Sequence, residues 1–241
     1  MKRKNSKTDK NKASAAITVI VVDDSVISRK LLITYIESMG YRVVTASDGA
    51  QALEILNSDK VDLALLDLRM PVMDGFETAI AMRSSDEYYA DIPVIGLSAD
   101  AVTELPEKIL NAGMNECLIK PVGRDDLEKL LRKWLPDEQP SAVQSSSGAM
   151  SISRLRRMLA EELPTYRATI RQNLENSVYA DLYEIAHKIA GGSAYCEIPE
   201  LESAARALQN AISRSDPNAL IQHAEQLLEK IDSTLAALKP D

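Results

Sequence analysis

The sequence predicts an α/β domain built on a five-stranded parallel sheet, followed by a separate all-α domain. Three observations carry this expectation. Residues 17–135 alternate five times between short apolar runs and helix-patterned stretches, which is the signature of a parallel sheet covered on both faces. Residues 136–150, PDEQPSAVQSSSGAM, break every periodicity and are rich in Pro, Ser and Gln. Beyond them, residues 151–238 show helical spacing and no strand signal, as a small helical bundle would.

The elements follow in order. ITVIVV (17–22) is a β-branched run and predicts the first strand. SVISRKLLITYIESMG (25–40) has helical spacing at Ile27, Leu31, Leu32, Tyr35 and Ile36, with Ser25 as N-cap and Gly40 as stop. YRVVTA predicts a strand, DGAQALEILN a short helix, VDLALL (61–66) a buried strand and DGFETAIAMRS a helix. IPVIGLS predicts a strand, AVTELPEKILNAG a helix interrupted at Pro106, ECLIK a strand and GRDDLEKLLRKWL a helix. In the second domain the expected helices are 151–162, 164–176, 178–195, 199–213 and 217–238, with Pro164, Pro199 and Pro217 in first turns.

Charge and cysteine usage narrow the function classes. Residues 1–14 hold six Lys/Arg against one Asp, so a short basic tail, expected to be disordered, precedes an acidic body. The net charge is -8, and no broad basic surface offers itself to nucleic acid. Two cysteines, Cys117 and Cys196, make neither a disulfide framework nor a zinc site and fit reduced core thiols. No apolar run reaches the ~18 residues of a membrane span, and AAITVIVV ends in Asp23-Asp24 rather than a cleavage pattern. The expected location is cytoplasmic.

Polar residues recur where strands stop: Asp23 and Asp24 after the first, Asp67 after the third, Ser98 at the fourth and Lys120 at the fifth. In a parallel sheet these ends converge on one edge, where ligands bind. Three carboxylates there repel one another, and a divalent cation such as Mg²⁺ relieves the repulsion. Lys120 and the Ser98 hydroxyl suit phosphoryl oxygens, and an Asp carboxylate can itself act as nucleophile and form an aspartyl phosphate.

The stretches VVDDS, LLDLRMPVMDG, GLSA and LIKP resemble the four signatures of the receiver domain of two-component response regulators, over about residues 17–135. The resemblance implies a flavodoxin-like (βα)5 fold, with Asp67 as phosphoacceptor. It implies Asp24 as a direct Mg²⁺ ligand supported by Asp23, the Arg69 carbonyl completing the metal site, Ser98 as the switch hydroxyl and Lys120 as the phosphate-binding lysine. Ala99 is small, as the family usually has it. Cys117 stands where many receivers carry a switch Tyr or Phe. A haloacid-dehalogenase-like phosphohydrolase is a competing class. Such enzymes have a second Asp two residues after the nucleophile, and Arg69 occupies that position here.

In the helical part, EIAHKIAGGSAYC (184–196) places a histidine one turn before two glycines. On a helical wheel Val178, Leu182, Ile185, Ala186, Ile189 and Gly192 form the core stripe, and His187 lies roughly 160° from its centre, an exposed position. Gly191 falls on the histidine's face and is expected to clear the approach of another protein, while Gly192 faces inward for close helix packing. AHKIAGGSAYC resembles the histidine phosphotransfer (HPt) motif. The family usually has Lys three residues after the histidine; here that residue is Ala190, and Lys188 follows the histidine directly. The pair of domains resembles the C-terminal part of hybrid sensor kinases of the BarA/GacS type.

The expected organisation is a tail (1–14), a receiver domain (15–135), a flexible linker (136–150) and an HPt bundle (151–239). The resemblance implies a phosphorelay protein in which Asp67 and His187 are phosphorylated. Its partners are a sensor histidine kinase upstream and another receiver domain or response regulator at the HPt domain. A phosphorylation-controlled binding module is the alternative. No kinase catalytic segment is evident. A flexible linker of ~15 residues spans roughly 20 Å, which brings transfer between Asp67 and His187 of one chain within reach.

Overall fold

The structure, a computed structural model, describes residues 16–99, 105–136, 150–176, 178–179, 181–214 and 217–238. The expected basic tail and most of the expected linker lie outside the described residues. Five strands form one parallel sheet: β1 (Thr18–Val22), β2 (Arg42–Ala46), β3 (Leu63–Asp67), β4 (Val94–Ser98) and β5 (Glu116–Ile119), in the order β2-β1-β3-β4-β5. Strands β1, β3 and β4 are buried along their whole length, which is why they read as continuous apolar runs. Helices α1 (Val26–Ser38) and α5 (Arg124–Trp134) cover one face. Helices α2 (Gly49–Ser58), α3 (Gly75–Arg83) and α4 (Leu105–Asn111) cover the other. Pro106 sits at the second described residue of α4 rather than interrupting it, and the residues expected to precede it, 101–104, lie outside the described residues. A short 3-10 turn at Tyr88–Ala90 was not expected from the pattern.

The register sets the functional edge. Val22 pairs with Leu66, so Asp23 and Asp67 emerge side by side where the strand order reverses. Ser98 pairs with Ile119, which puts Lys120 next along the same edge. Local signals fix the turns: Ser25 caps α1 by accepting from the Ser28 amide, and Asp74 and Glu77 form a reciprocal capping box on α3. Gly75 is required by space, because a Cβ there would lie 2.2 Å from the Asp67 carbonyl oxygen.

The second part holds α6 (Ile152–Glu175), α7 (Leu182–Tyr195), α8 (Pro199–Ser213) and α9 (Pro217–Ala237). Two expectations fail here. Pro164 was expected to start a helix, yet α6 runs through it for 24 residues. An interior proline costs ~3 kcal/mol. Leu155, Leu159, Leu163 and Ile170 bury one continuous stripe across it, each contributing about 1.5–3 kcal/mol, so burial outweighs the break. Val178, expected in the core stripe, is 49% exposed, and α7 begins after it at Leu182. Among the described residues no helix is long and apolar enough to cross a membrane.

The two parts share a core. Ile27 and Leu31 of α1 join the cluster built by Leu155, Leu159, Ile189 and Leu227, so the sheet domain meets the bundle through α1 against α6 and α7. Two glycines give opposite expectations for substitution. Gly75→Ala lowers stability to urea by about 1–3 kcal/mol, because backbone must shift. Gly191→Ala meets nothing within 4 Å and raises it by about 0.5–1 kcal/mol through helix propensity. Urea unfolding of both variants checks the contrast.

Candidate functional site

The site is built where β1, β3, β4 and β5 end. Asp23 is fully buried, and its carboxylate accepts from the Ser25 amide at 2.9 Å and the Ser28 hydroxyl at 2.5 Å. Lys120 Nζ bridges two acids, at 2.7 Å from Asp23 Oδ2 and 2.5 Å from Asp67 Oδ2. The Arg69 amide donates to Asp67 Oδ1 at 3.1 Å, which holds that carboxylate oxygen in place. The Lys120 amide donates to the Ser98 carbonyl at 2.7 Å, which ties the β4 and β5 ends together. The Lys120–Pro121 peptide is cis.

One oxygen each from Asp23, Asp24 and Asp67 lie within 4.8 Å of one another. Neither Asp24 oxygen accepts a hydrogen bond, although its side chain is only 3% exposed. A buried carboxylate that accepts no hydrogen bond, beside two others, is the donor set a hard divalent cation takes. Burial pushes Asp24 up to about 6, with repulsion from Asp67 adding to the rise. Burial also raises Asp23, against the pull of Lys120. For Asp67 the burial effect is overcome by Lys120 and His187, which hold its carboxyl below the usual range. Burial alone would lower Lys120; Asp23 and Asp67 reverse this and keep it charged.

The bundle closes over this edge. His187 Nε2 lies 3.8 Å from Asp67 Oδ2, and the residue is only 5% exposed. The expectation that His187 points to solvent is therefore corrected: it points away from the core of its own bundle and into the receiver-like cleft. Lys188 Nζ reaches Asp24 Oδ2 at 3.2 Å. The Arg69 guanidinium lies over the Tyr183 ring, 5.3 Å from its centroid, and donates to the Tyr183 hydroxyl. The Tyr195 hydroxyl accepts from the Val122 amide at 3.2 Å, and Arg206 Nη1 donates to the Ala99 carbonyl at 3.3 Å.

Gly192 keeps the close helix packing expected of it and adds a contact to the other domain. Gly192 makes the close approach to both domains, since a Cβ there would lie 3.2 Å from Ile27 Cδ1 and 3.2 Å from Leu159 Cδ1. Gly191 has open space around it. Sequence reasoning missed Gln209 of α8, whose side-chain amide sits 3.2 Å from His187 Nδ1. Nothing in its local pattern distinguishes it from the surface of an amphipathic helix. Cys117, where a switch aromatic was expected from the resemblance, is half-buried against the core on the α2–α4 side of the sheet, and burial pushes its thiol up to about 11.

Raised acidity constants are stability statements. Asp24 binds its proton more tightly folded than unfolded, so stability falls as pH rises from about 4 through about 6 and stays lower above. In metal-free buffer Asp24→Asn raises stability at pH 7.5 by about 2–3 kcal/mol, and the gain shrinks toward zero below pH ~4. Denaturant unfolding across that pH range measures it; a gain independent of pH would assign the effect to something other than the charge.

Comparison with known proteins agrees with this architecture. The response regulator receiver domain model matches residues 19–132, and the Hpt domain model matches residues 154–239. Sensor protein GacS of Pseudomonas syringae pv. syringae is 26% identical over 255 residues, covering 95% of this chain and 28% of its own length. The signal transduction histidine-protein kinase BarA of Shigella flexneri is 27% identical over 94% of this chain and 27% of its own length. The chain thus spans little more than a quarter of these relatives. Sensor histidine kinase RcsC of Escherichia coli (strain K12) is 39% identical over 113 residues, 47% of this chain and 12% of its own length. Among solved structures, the receiver domain of a sensor histidine kinase of Pseudomonas aeruginosa, described with a magnesium ion coordinated in the active site cleft, is 32% identical, with a TM-score of 0.47 over 50% of this chain and 98% of that one. With both family models matching in tandem and together taking in most of its residues, the chain joins a response regulator receiver domain to an Hpt domain.

Proposed function

We propose that this chain passes a phosphoryl group directly between Asp67 of its receiver domain and His187 of its own Hpt domain. The observation that carries the reading is the 3.8 Å separation of His187 Nε2 and Asp67 Oδ2 within a closed interface. The Nε2 lone pair attacks the phosphorus of an Asp67 acyl phosphate. The Nε2–P bond forms as the P–O bond to the carboxylate breaks, and the electron pair returns to Asp67, where Lys120 already offers a positive charge. Transfer in the other direction retraces the same path.

The attacking nitrogen must carry no proton, so the proton resides on Nδ1. Gln209 lies 3.2 Å from Nδ1, and a half-turn of its amide presents either the N–H to a bare Nδ1 or the carbonyl to a protonated one. Gln209 is thus a positioning residue for the ring. Ser98 and Lys120 hold phosphoryl oxygens. Asp23, Asp24, Asp67 and the Arg69 carbonyl fit Mg²⁺, with the hydrogen-bond-free Asp24 carboxylate as the supporting observation. Bound there, Mg²⁺ supplies charge neutralisation for the carboxylates and the phosphoryl oxygens.

The relatives are sensor kinases, which supports a sensor histidine kinase as the upstream donor and a second receiver domain as the partner of His187. The reading places the reaction in the cytoplasm, and the receiver and Hpt domains extend over about 15–135 and 151–239.

Labelling with radioactive acetyl phosphate tests the proposal. Label enters through Asp67 as hydroxylamine-labile acyl phosphate and moves to a base-stable phosphohistidine. The rate constant is expected to stay the same over a tenfold dilution of protein, and a rate proportional to concentration would overturn the intramolecular route. Asp67→Asn takes up no label, and His187→Gln retains the hydroxylamine-labile form alone. Gln209→Leu slows appearance of base-stable label roughly tenfold or more while leaving uptake at Asp67 unchanged.

A further inference from the structure

We infer that Lys188 is a tethered cation that occupies the metal carboxylate in the docked chain, so that docking of the Hpt domain and Mg²⁺ binding oppose each other at Asp24. The inference rests on the proposed Mg²⁺ site but not on phosphoryl transfer.

Three buried carboxylates meet at the cleft, and Lys120 serves only two of them, Asp23 and Asp67. Asp24 is left without a hydrogen bond to either oxygen. The cation that reaches it comes from the other domain: Lys188 Nζ lies 3.2 Å from Asp24 Oδ2. Its position follows from the helix. Lys188 adjoins His187 on α7, so seating the imidazole over Asp67 delivers the ammonium to the neighbouring acid. The lysine is 26% exposed and has a long stem, so it can withdraw without moving the helix.

A magnesium ion sits 2.0–2.1 Å from its oxygen ligands, at typical values. On Asp24 Oδ2 it would lie no more than about 5 Å from the ammonium where Lys188 now rests, inside a buried cleft where like charges are poorly screened. Either cation therefore weakens the other. Linkage makes the effect reciprocal: Lys188 lowers the Mg²⁺ affinity of the full chain, and Mg²⁺ loosens the Lys188 contact by the same factor. The receiver would bind its metal most readily when its own Hpt domain stands away, and the docked, metal-free chain would be held in part by this pair.

Titration calorimetry of the full chain with MgCl2 tests the inference without any phosphoryl donor. Lys188→Gln is expected to bind Mg²⁺ at least threefold more tightly than wild type, while Lys188→Arg stays within twofold of it. Asp24→Asn should lose the saturable heat, which identifies the site. Small-angle scattering of the metal-free variants guards the interpretation, since Lys188→Gln should keep the wild-type radius of gyration. Unchanged or weaker affinity in Lys188→Gln would overturn the inference. So would a gain that appears only because the variant has opened, or the absence of any saturable Mg²⁺ binding. Loss of intramolecular label transfer with the expected affinity change intact would count against the transfer reading alone.

Discussion

Three aspartates share one buried edge, and most of the site follows from that constraint. Their ligand oxygens lie within 4.8 Å of one another. At an effective dielectric constant of 20, each pair of full charges at that distance repels by about 3–4 kcal/mol. The fold tolerates this only by bringing cations to the same place. Lys120 does so from the end of β5, bridging two of the acids while burial and their charges act in opposite directions on its proton. The order β2-β1-β3-β4-β5 makes the bridge reachable, because it sets β1 beside β3 and lets β4 and β5 carry Ser98 and Lys120 around the same edge. Chemistry and topology are thus one requirement: in the proposed function a phosphoryl group would land where negative charge is already concentrated, and the positive group that makes this bearable, Lys120, would be the one to receive it.

The second domain answers the same constraint from above. Helix α7 has two buried faces. Leu182, Ile185, Ala186 and Ile189 pack into the bundle. Tyr183, His187, Lys188 and Tyr195, spread around the rest of the helix, meet Arg69, Asp67, Asp24 and Val122, and Gly192 at the border of the two faces meets Ile27. A helix with two partnered faces is held in rotation and in register. That hold, rather than any single contact, is what points Nε2 at Asp67, and Gln209 then fixes the ring from behind. Arg69 has two functions here, since its amide orients the Asp67 carboxylate and its side chain grips Tyr183.

How much of this was legible in the sequence follows from what each signal measures. The strand-end residues were legible because a parallel sheet sends every strand end to one edge, so position along the chain already implied proximity. The location of His187 on the face away from its bundle core was legible from helical periodicity. Its burial was not, because a wheel drawn for one domain counts as solvent whatever a second domain will cover. The same blindness hid half of Gly192's role: the close helix packing expected of it is there against Leu159, but Ile27 of the receiver presses on it as closely. Gln209 was beyond reach, because an amide on a helix surface has no pattern until its partner is known. At Pro164 a local breaker met four buried aliphatic side chains, and the long-range term won.

The closed arrangement, on which the proposed transfer within the chain rests, would also restrict the next step. His187 at 5% exposure offers no surface to a second receiver domain, so outward transfer requires the two domains to part. The interface is suited to that. Its apolar part centres on Ile27 and Leu31 against the bundle, and the rest consists of separate polar contacts at Arg69, Val122, Asp24 and Ala99. Interfaces of this mixed kind between domains of one chain resemble transient complexes rather than permanent ones. An external receiver then meets an apparent affinity reduced by the fraction of chains that are open. Because Asp67 and His187 belong to one chain, their high effective concentration favours the closed state after each encounter. Any outward partner must therefore bind the Hpt face more strongly than the chain's own receiver does, or arrive when charge at the aspartate edge has changed. The proposed transfer would itself make such a change, since passage of a phosphoryl group from Asp67 to His187 would move negative charge from one side of the interface to the other.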